Sequence, residues 1–122
     1  MRQTKTKPRF KKNETGYHKY AVQQLAEWVG GLTEQEFCID SCIAFIPDVV
    51  CYENGVITNM YEVVYSHPVD GKKLAMIQAW SYFNSTEFSL FEVSADWILK
   101  QTKKPERIET MEYYNINLIT NE

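Results

Sequence analysis

The chain has 122 residues, 44% of them hydrophobic and 14% aromatic, which is enough apolar material for the core of one domain and too much for a disordered chain. No apolar run approaches the roughly 18–20 residues that span a bilayer, and the amino terminus is basic and polar with no apolar stretch of a secretory signal, so a cytoplasmic protein without a membrane partner is expected. The formal net charge of −3 hides an asymmetry: Arg2, Lys5, Lys7, Arg9, Lys11 and Lys12 give +6 in the first twelve residues with no acid, and the remaining seven basic and sixteen acidic residues leave −9 on the body.

Residues 1–13 are read as a flexible basic arm and residues 14–122 as a single domain. A basic arm on an acidic body suggests a polyanion that the arm reaches first, with its six cations contacting phosphates and Phe10 able to stack on a base. The bland alternative is a solvated tail that only aids solubility. The acidic body alone would suit a mimic of DNA, and the basic arm argues against that.

Helix signals begin near Asn13 to Gly16. Tyr17, Tyr20, Ala21, Leu25, Trp28 and Val29 follow helical spacing, and Gly30-Gly31 closes the run. Residues 34–46 read as one strand, with Phe37, Ile39, Ile43 and Phe45 apolar and Asp40 breaking the pattern. On one strand Cys38 and Cys42 would lie about 13 Å apart at roughly 3.3 Å per residue, too far for a disulfide. The odd count of three cysteines without a CxxC pair is read as buried free thiols, a cysteine nucleophile or zinc site being the minority view. Strands follow at 48–53 and 56–66 around Asn54-Gly55, a strong hairpin signal. Pro68-Val69-Asp70-Gly71 is turn chemistry. A second helix is expected over about 71–84, a strand over 87–94 with Glu92 interrupting its apolar alternation, and a helix over 95–103 that Pro105 stops. Residues 108–119 have the character of an edge strand or a short helix and tail. Trp28, Trp80 and Trp97 stand at core spacing and are read as packing.

The hairpin carries the most chemical information. Asp48 and Glu62 stand inside otherwise apolar strands, where a charge is costly unless something offsets it, and a divalent metal would do so. If the loop is the two residues Asn54-Gly55, Asp48 faces Tyr61 and Glu62 points to the other side of the sheet. If the loop is Glu53-Asn54-Gly55 with a bulge, Asp48 faces Met60 and Glu62 lies diagonally beside it on the same face, roughly 7–8 Å away and within reach of one cation. The reading of a shared site depends on this choice. The alternative places Glu62 in solvent on a half-exposed strand.

The element order, helix, three strands, helix, strand, together with Pro47-Asp48 and Glu62 fourteen positions later, resembles the PD-(D/E)xK nuclease-like superfamily, and within it the small competence-associated and phage or mobile-element nuclease-like proteins. The resemblance covers roughly residues 14–99. It implies an α/β fold with an αβββαβ restriction-endonuclease-like core, a mixed sheet flanked by helices, and a metal-dependent DNA endonuclease. Asp48, Glu62 and the Val63 carbonyl would then hold Mg²⁺ or Mn²⁺. Glu14, His18 and Gln24 fall where the family often places an auxiliary acid or histidine. The family's lysine two residues after the second acid is Val64 here, so its role would pass to Lys72, Lys73 or Gln78 on the second helix or to His67, whose ordinary pKa near 6.5 suits a general base. The missing lysine equally supports a catalytically inactive relative: a DNA-binding accessory, a subunit or homodimer, or a phage-encoded inhibitor that binds a host protein.

Deleting residues 1–12 is expected to weaken nucleic-acid affinity and to lower the log–log salt slope by about 0.9 for each duplex phosphate that the arm no longer neutralises. Equal binding by full-length and truncated protein across a salt series would reduce the arm to a solvated tail.

Overall fold

The first helix ends as its sequence predicts. Gly30 takes a left-handed φ of 67° and the Gly31 N–H donates to the Ala26 carbonyl at 2.9 Å, the closing bond of a Schellman cap. This is α1 (Thr15–Val29), the start of the computed structural model's described residues, 15–65 and 69–118. The basic arm, Glu14 and His67 lie outside the described residues. There follow β1 (Phe37–Ile39), β2 (Cys42–Phe45), β3 (Val49–Glu53), β4 (Val56–Val64), α2 (Gly71–Phe83), β5 (Phe88–Ser94), α3 (Ala95–Lys100) and β6 (Glu112–Ile116).

The fold is α/β. A mixed four-stranded sheet runs in the order β3-β4-β5-β6, with β4 and β5 parallel and the other pairs antiparallel. The parallel pair is joined through α2, because parallel neighbours need a crossover. Strand alternation sends side chains to two cores. Val49, Cys51, Tyr61, Val63 and Val93 pack against Ala21, Val22, Leu25 and Ala26 of α1 and Ile98 of α3. Val50, Met60, Leu90 and Ile116 pack against Ile77 of α2 and against Phe37 and Phe45. The tryptophans are packing residues: Trp28 meets Trp97 edge-on at 6.1 Å between α1 and α3, and Trp80 stands edge-on to Phe37 at 4.8 Å. Among the described residues no helix is long and apolar enough to cross a membrane.

Residues 34–46 do not form one strand. Asp40 and Ser41 both take positive φ, 52° and 66°, and fold the segment into the two-stranded sheet β1-β2. Aspartate tolerates this backbone because its short polar chain can bond locally, so the residue that breaks the apolar pattern is the turn itself. Cys38 and Cys42 therefore stand on facing strands rather than along one. Both are exposed free thiols, and only Cys51 is buried. Residues 108–119 supply β6, the outer strand beside β5.

Leu32 bridges to Val50 with two main-chain hydrogen bonds, of 2.8 and 2.9 Å, along the outer side of β3. Gly31 permits that approach: a Cβ there would overlap the Val49 Cγ1 methyl and come within 3.1 Å of the Val50 carbonyl oxygen. Gly31→Ala is expected to cost about 1–3 kcal/mol by overpacking, read as a lower urea midpoint. Gly55→Ala meets no atom within 4 Å but forces alanine to a φ of 79°, at about 1–2 kcal/mol.

Candidate active site

Two local irregularities bring the hairpin acids together. The loop is the two-residue Asn54-Gly55, both at positive φ (53° and 79°), as a type I′ turn requires. On a regular ladder that loop would place Asp48 opposite Tyr61. Instead the register shifts: Tyr52 pairs with Ile57 and Cys51 with Asn59, so Thr58 is an extra residue on β4. Its hydroxyl donates to the Cys51 carbonyl at 3.3 Å and closes the bulge. Val49 then pairs with Tyr61, and the next position outward sets Asp48 beside Glu62. The acids converge by the shorter loop plus a bulge within the strand, not by the three-residue loop, and they are adjacent rather than diagonal.

Asp48 lies one residue before β3, in the turn led by the buried Pro47. Its Oδ2 accepts from the Val63 N–H at 2.8 Å, and its own N–H faces Glu62 Oε1 at 3.4 Å. Glu62 is only 6% exposed. Lys73 answers it: Nζ lies 2.9 Å from both Glu62 oxygens and donates to the Ile46 carbonyl at 3.0 Å, which ties α2 to the Ile46-Pro47-Asp48 turn. On the other side, His18 of α1 places Nε2 2.9 Å from the Val63 carbonyl and 3.4 Å from Asp48 Oδ2. Both neighbours are acceptors, so Nε2 carries a proton and donates.

Charge and burial set the protonation states. Burial first, and the Asp48 charge second, push the Glu62 carboxyl from 4.5 up to about 7, against the pull of Lys73. The bond to Asp48 raises His18 above its ordinary value, with burial opposing. Burial pushes the Cys51 thiol up, which makes it a poor nucleophile.

Of the four residues that could replace the motif lysine, Lys73 reaches the acid pair. It shares an i, i+4, i+8 stripe with the buried Ile77 and Ser81, so it faces the sheet. Lys72 is exposed at the helix start, where its N–H is capped by Asp70 at 2.7 Å. Gln78 is exposed and gives its amide to the Asn117 carbonyl at 2.9 Å. His67 is outside the described residues. His18, expected as an auxiliary group, is in the cluster. Sequence reasoning misses Glu92 as a neighbour of this cluster: it pairs in register with Glu62, is 1% exposed, and its Oε2 accepts from the Tyr114 hydroxyl at 2.7 Å and the Val69 N–H at 3.2 Å. The available signal is strand parity, since Glu92 lies on the same face as the buried Leu90.

Two carboxylates and the Val63 carbonyl are hard oxygen donors, the kind of partial set Mg²⁺ takes when water and a substrate phosphate complete its shell. Lys73 already brings one positive charge to the pair, 2.9 Å from both Glu62 oxygens. Among the described residues no group of three or more His, Cys, Asp or Glu side chains is arranged to hold a metal ion by itself, zinc included. No family model, no curated protein and no solved structure matches this chain.

Because Glu62's folded pKa is raised, the folded state holds more protons than the unfolded between about pH 4.5 and 7, and stability falls as pH rises through that window. His18, also raised, acts in the same direction above its ordinary value. Urea midpoints are expected to drop between about pH 5 and about pH 8, by roughly 2–3 kcal/mol at most from Glu62, and Glu62→Gln should flatten the profile. An unchanged slope in that variant would remove Glu62 as the source.

Proposed function

We propose that the protein is a metal-dependent phosphodiesterase acting on DNA, on a variant of the restriction-endonuclease-like αβββαβ core. The observation that carries this reading is the position of Lys73. With valine at 64, α2 delivers an ammonium to Glu62 beside Asp48, so the carboxylate–carboxylate–lysine set is rebuilt from a neighbouring element. Asp48 and Glu62, with the Val63 carbonyl, would hold Mg²⁺ or Mn²⁺. When bound, such an ion lowers the pKa of water and offsets charge on the phosphate.

Hydrolysis joins a water oxygen to phosphorus, breaks one ester P–O bond, and leaves an alcohol that carries a proton. Lys73 would orient the water and offset phosphate charge. Glu62 would serve as a ligand, because a bound cation together with Lys73 would hold its carboxyl ionised, and the water's proton would leave to solvent. His18 acts through others: it fixes the Asp48 carboxylate and the Val63 carbonyl. The basic arm would add salt-sensitive phosphate contacts.

A non-catalytic accessory or inhibitor on the same fold is the second reading. What favours it is that both carboxylates already have internal partners, Val63 and His18 for Asp48, Lys73 for Glu62.

The test is cleavage of plasmid with Mg²⁺ or Mn²⁺. Asp48→Ala and Glu62→Ala should each abolish it, and Lys73→Ala should lower it about 10²-fold or more. Lys72→Ala and Gln78→Ala should matter little. Adding Val64→Lys to Lys73→Ala should recover part of the activity, by returning an amine to the same face. Wild type inert with every divalent metal tried would hand the case to the non-catalytic reading; Asp48→Ala as active as wild type would expose a contaminant.

A further inference from the structure

Beside the carboxylate pair, α1 and the turns leading to β1 and β3 line a half-open cavity of about 250 Å³. His18 and Asp48 line it, so it adjoins the groups assigned above to the reaction. We propose that this cavity is a nucleoside subsite, taking the base and sugar that flank the scissile phosphate. It draws its ligand class from the phosphodiesterase reading.

Size comes first. Small-molecule sites usually enclose roughly 300–1,000 Å³, so a half-open cavity slightly below that range suits one heterocycle with its sugar, the rest of a strand continuing outside it. The lining then matches a base. Val22, Ile46 and Pro47 offer apolar surface to a flat ring. Gln23, Thr33 and Glu34 bring an amide, a hydroxyl and a carboxylate for its edge.

Glu34 gives the subsite a direction and a preference. An ionised carboxylate only accepts, so it repels phosphate from its own wall and favours a base edge bearing N–H groups. Adenine, cytosine and guanine carry an exocyclic amine; thymine offers only N3–H, flanked by two carbonyl oxygens that a carboxylate repels. The phosphate then points away from Glu34, toward His18, Asp48 and any cation held there. Glu34 also holds a left-handed φ of 60°, a backbone state that is costly for glutamate and gathers at binding sites. Lys19, exposed on α1 beside His18, lines the same cavity and can meet a neighbouring phosphate.

The experiment titrates dAMP, dCMP, dGMP and dTMP into ¹⁵N-labelled full-length protein and follows its amide resonances. The expected result is shifts at Gln23, Thr33 and Glu34, larger for the three amino bases than for dTMP. Gln23→Trp puts an indole into the cavity from an exposed helix position, and should weaken binding about tenfold or more. Glu34→Gln should erase the discrimination against dTMP. Shifts elsewhere, or full affinity in Gln23→Trp, overturn the subsite. Plasmid cleavage without nucleotide shifts at these amides removes the subsite and leaves the phosphodiesterase. Shifts at these amides without cleavage under any divalent metal do the reverse.

Discussion

Two like charges held side by side in a poorly hydrated corner are the constraint around which this fold is arranged. Asp48 and Glu62 repel, and each loses water, so each needs compensation from the chain. Lys73 supplies the larger part, by two contacts of 2.9 Å to Glu62. The Val63 N–H and His18 supply the rest at Asp48. Removing one partner of a buried ion pair typically costs about 3–5 kcal/mol, because the remaining charge is stranded. Here, with Lys73 removed, burial and Asp48 would instead push the Glu62 carboxyl further up, so that it gains a proton and the Lys73 contact is lost as an ion pair. The site is therefore bound into the stability of the domain, whatever chemistry it performs.

The compensation comes from three separate elements, and each is fixed locally. The Thr58 bulge sets Glu62 against Asp48. The Asp70 cap begins α2 at the position that turns Lys73 inward. The stripe Ala21, Val22, Leu25, Ala26 clamps α1 to the sheet, and His18, one turn before Val22, is carried along with it. No single element builds the site, so it exists only where the whole layer arrangement does.

This explains which parts are legible in the sequence. Asp48, Glu62 and Glu92 stand out as charges in apolar strands, and both long helices have periodicity with glycine or aspartate at their ends. The β1-β2 turn does not stand out, because Asp40-Ser41 lacks the glycine that usually marks paired positive φ values. The bulge is hidden because Thr58 is an ordinary strand residue; its role comes from the register between two strands, which no local pattern records. Lys73 is separable from Lys72 by its stripe with Ile77 and Ser81. Its bond to Glu62 depends on how α2 lies across the sheet, which the sequence does not state.

Glu92 shows how such a site avoids its own excess. In the parallel register it stands next to Glu62 and would compete for Lys73. It is instead engaged by the Tyr114 hydroxyl from β6 and by the Val69 N–H at the approach to α2. The bond to Glu92 pushes the Tyr114 hydroxyl up to about 12, so it remains a donor at neutral pH. The Val69 bond does more than satisfy a carboxylate: it fixes the chain immediately before the Asp70 cap, and so the height at which α2 begins. A helix started one residue later would turn Lys73 by about 100° and lose Glu62. The crossover between two parallel strands thus holds its lysine in place at both ends, by Glu92 behind the cap and by Glu62 in front.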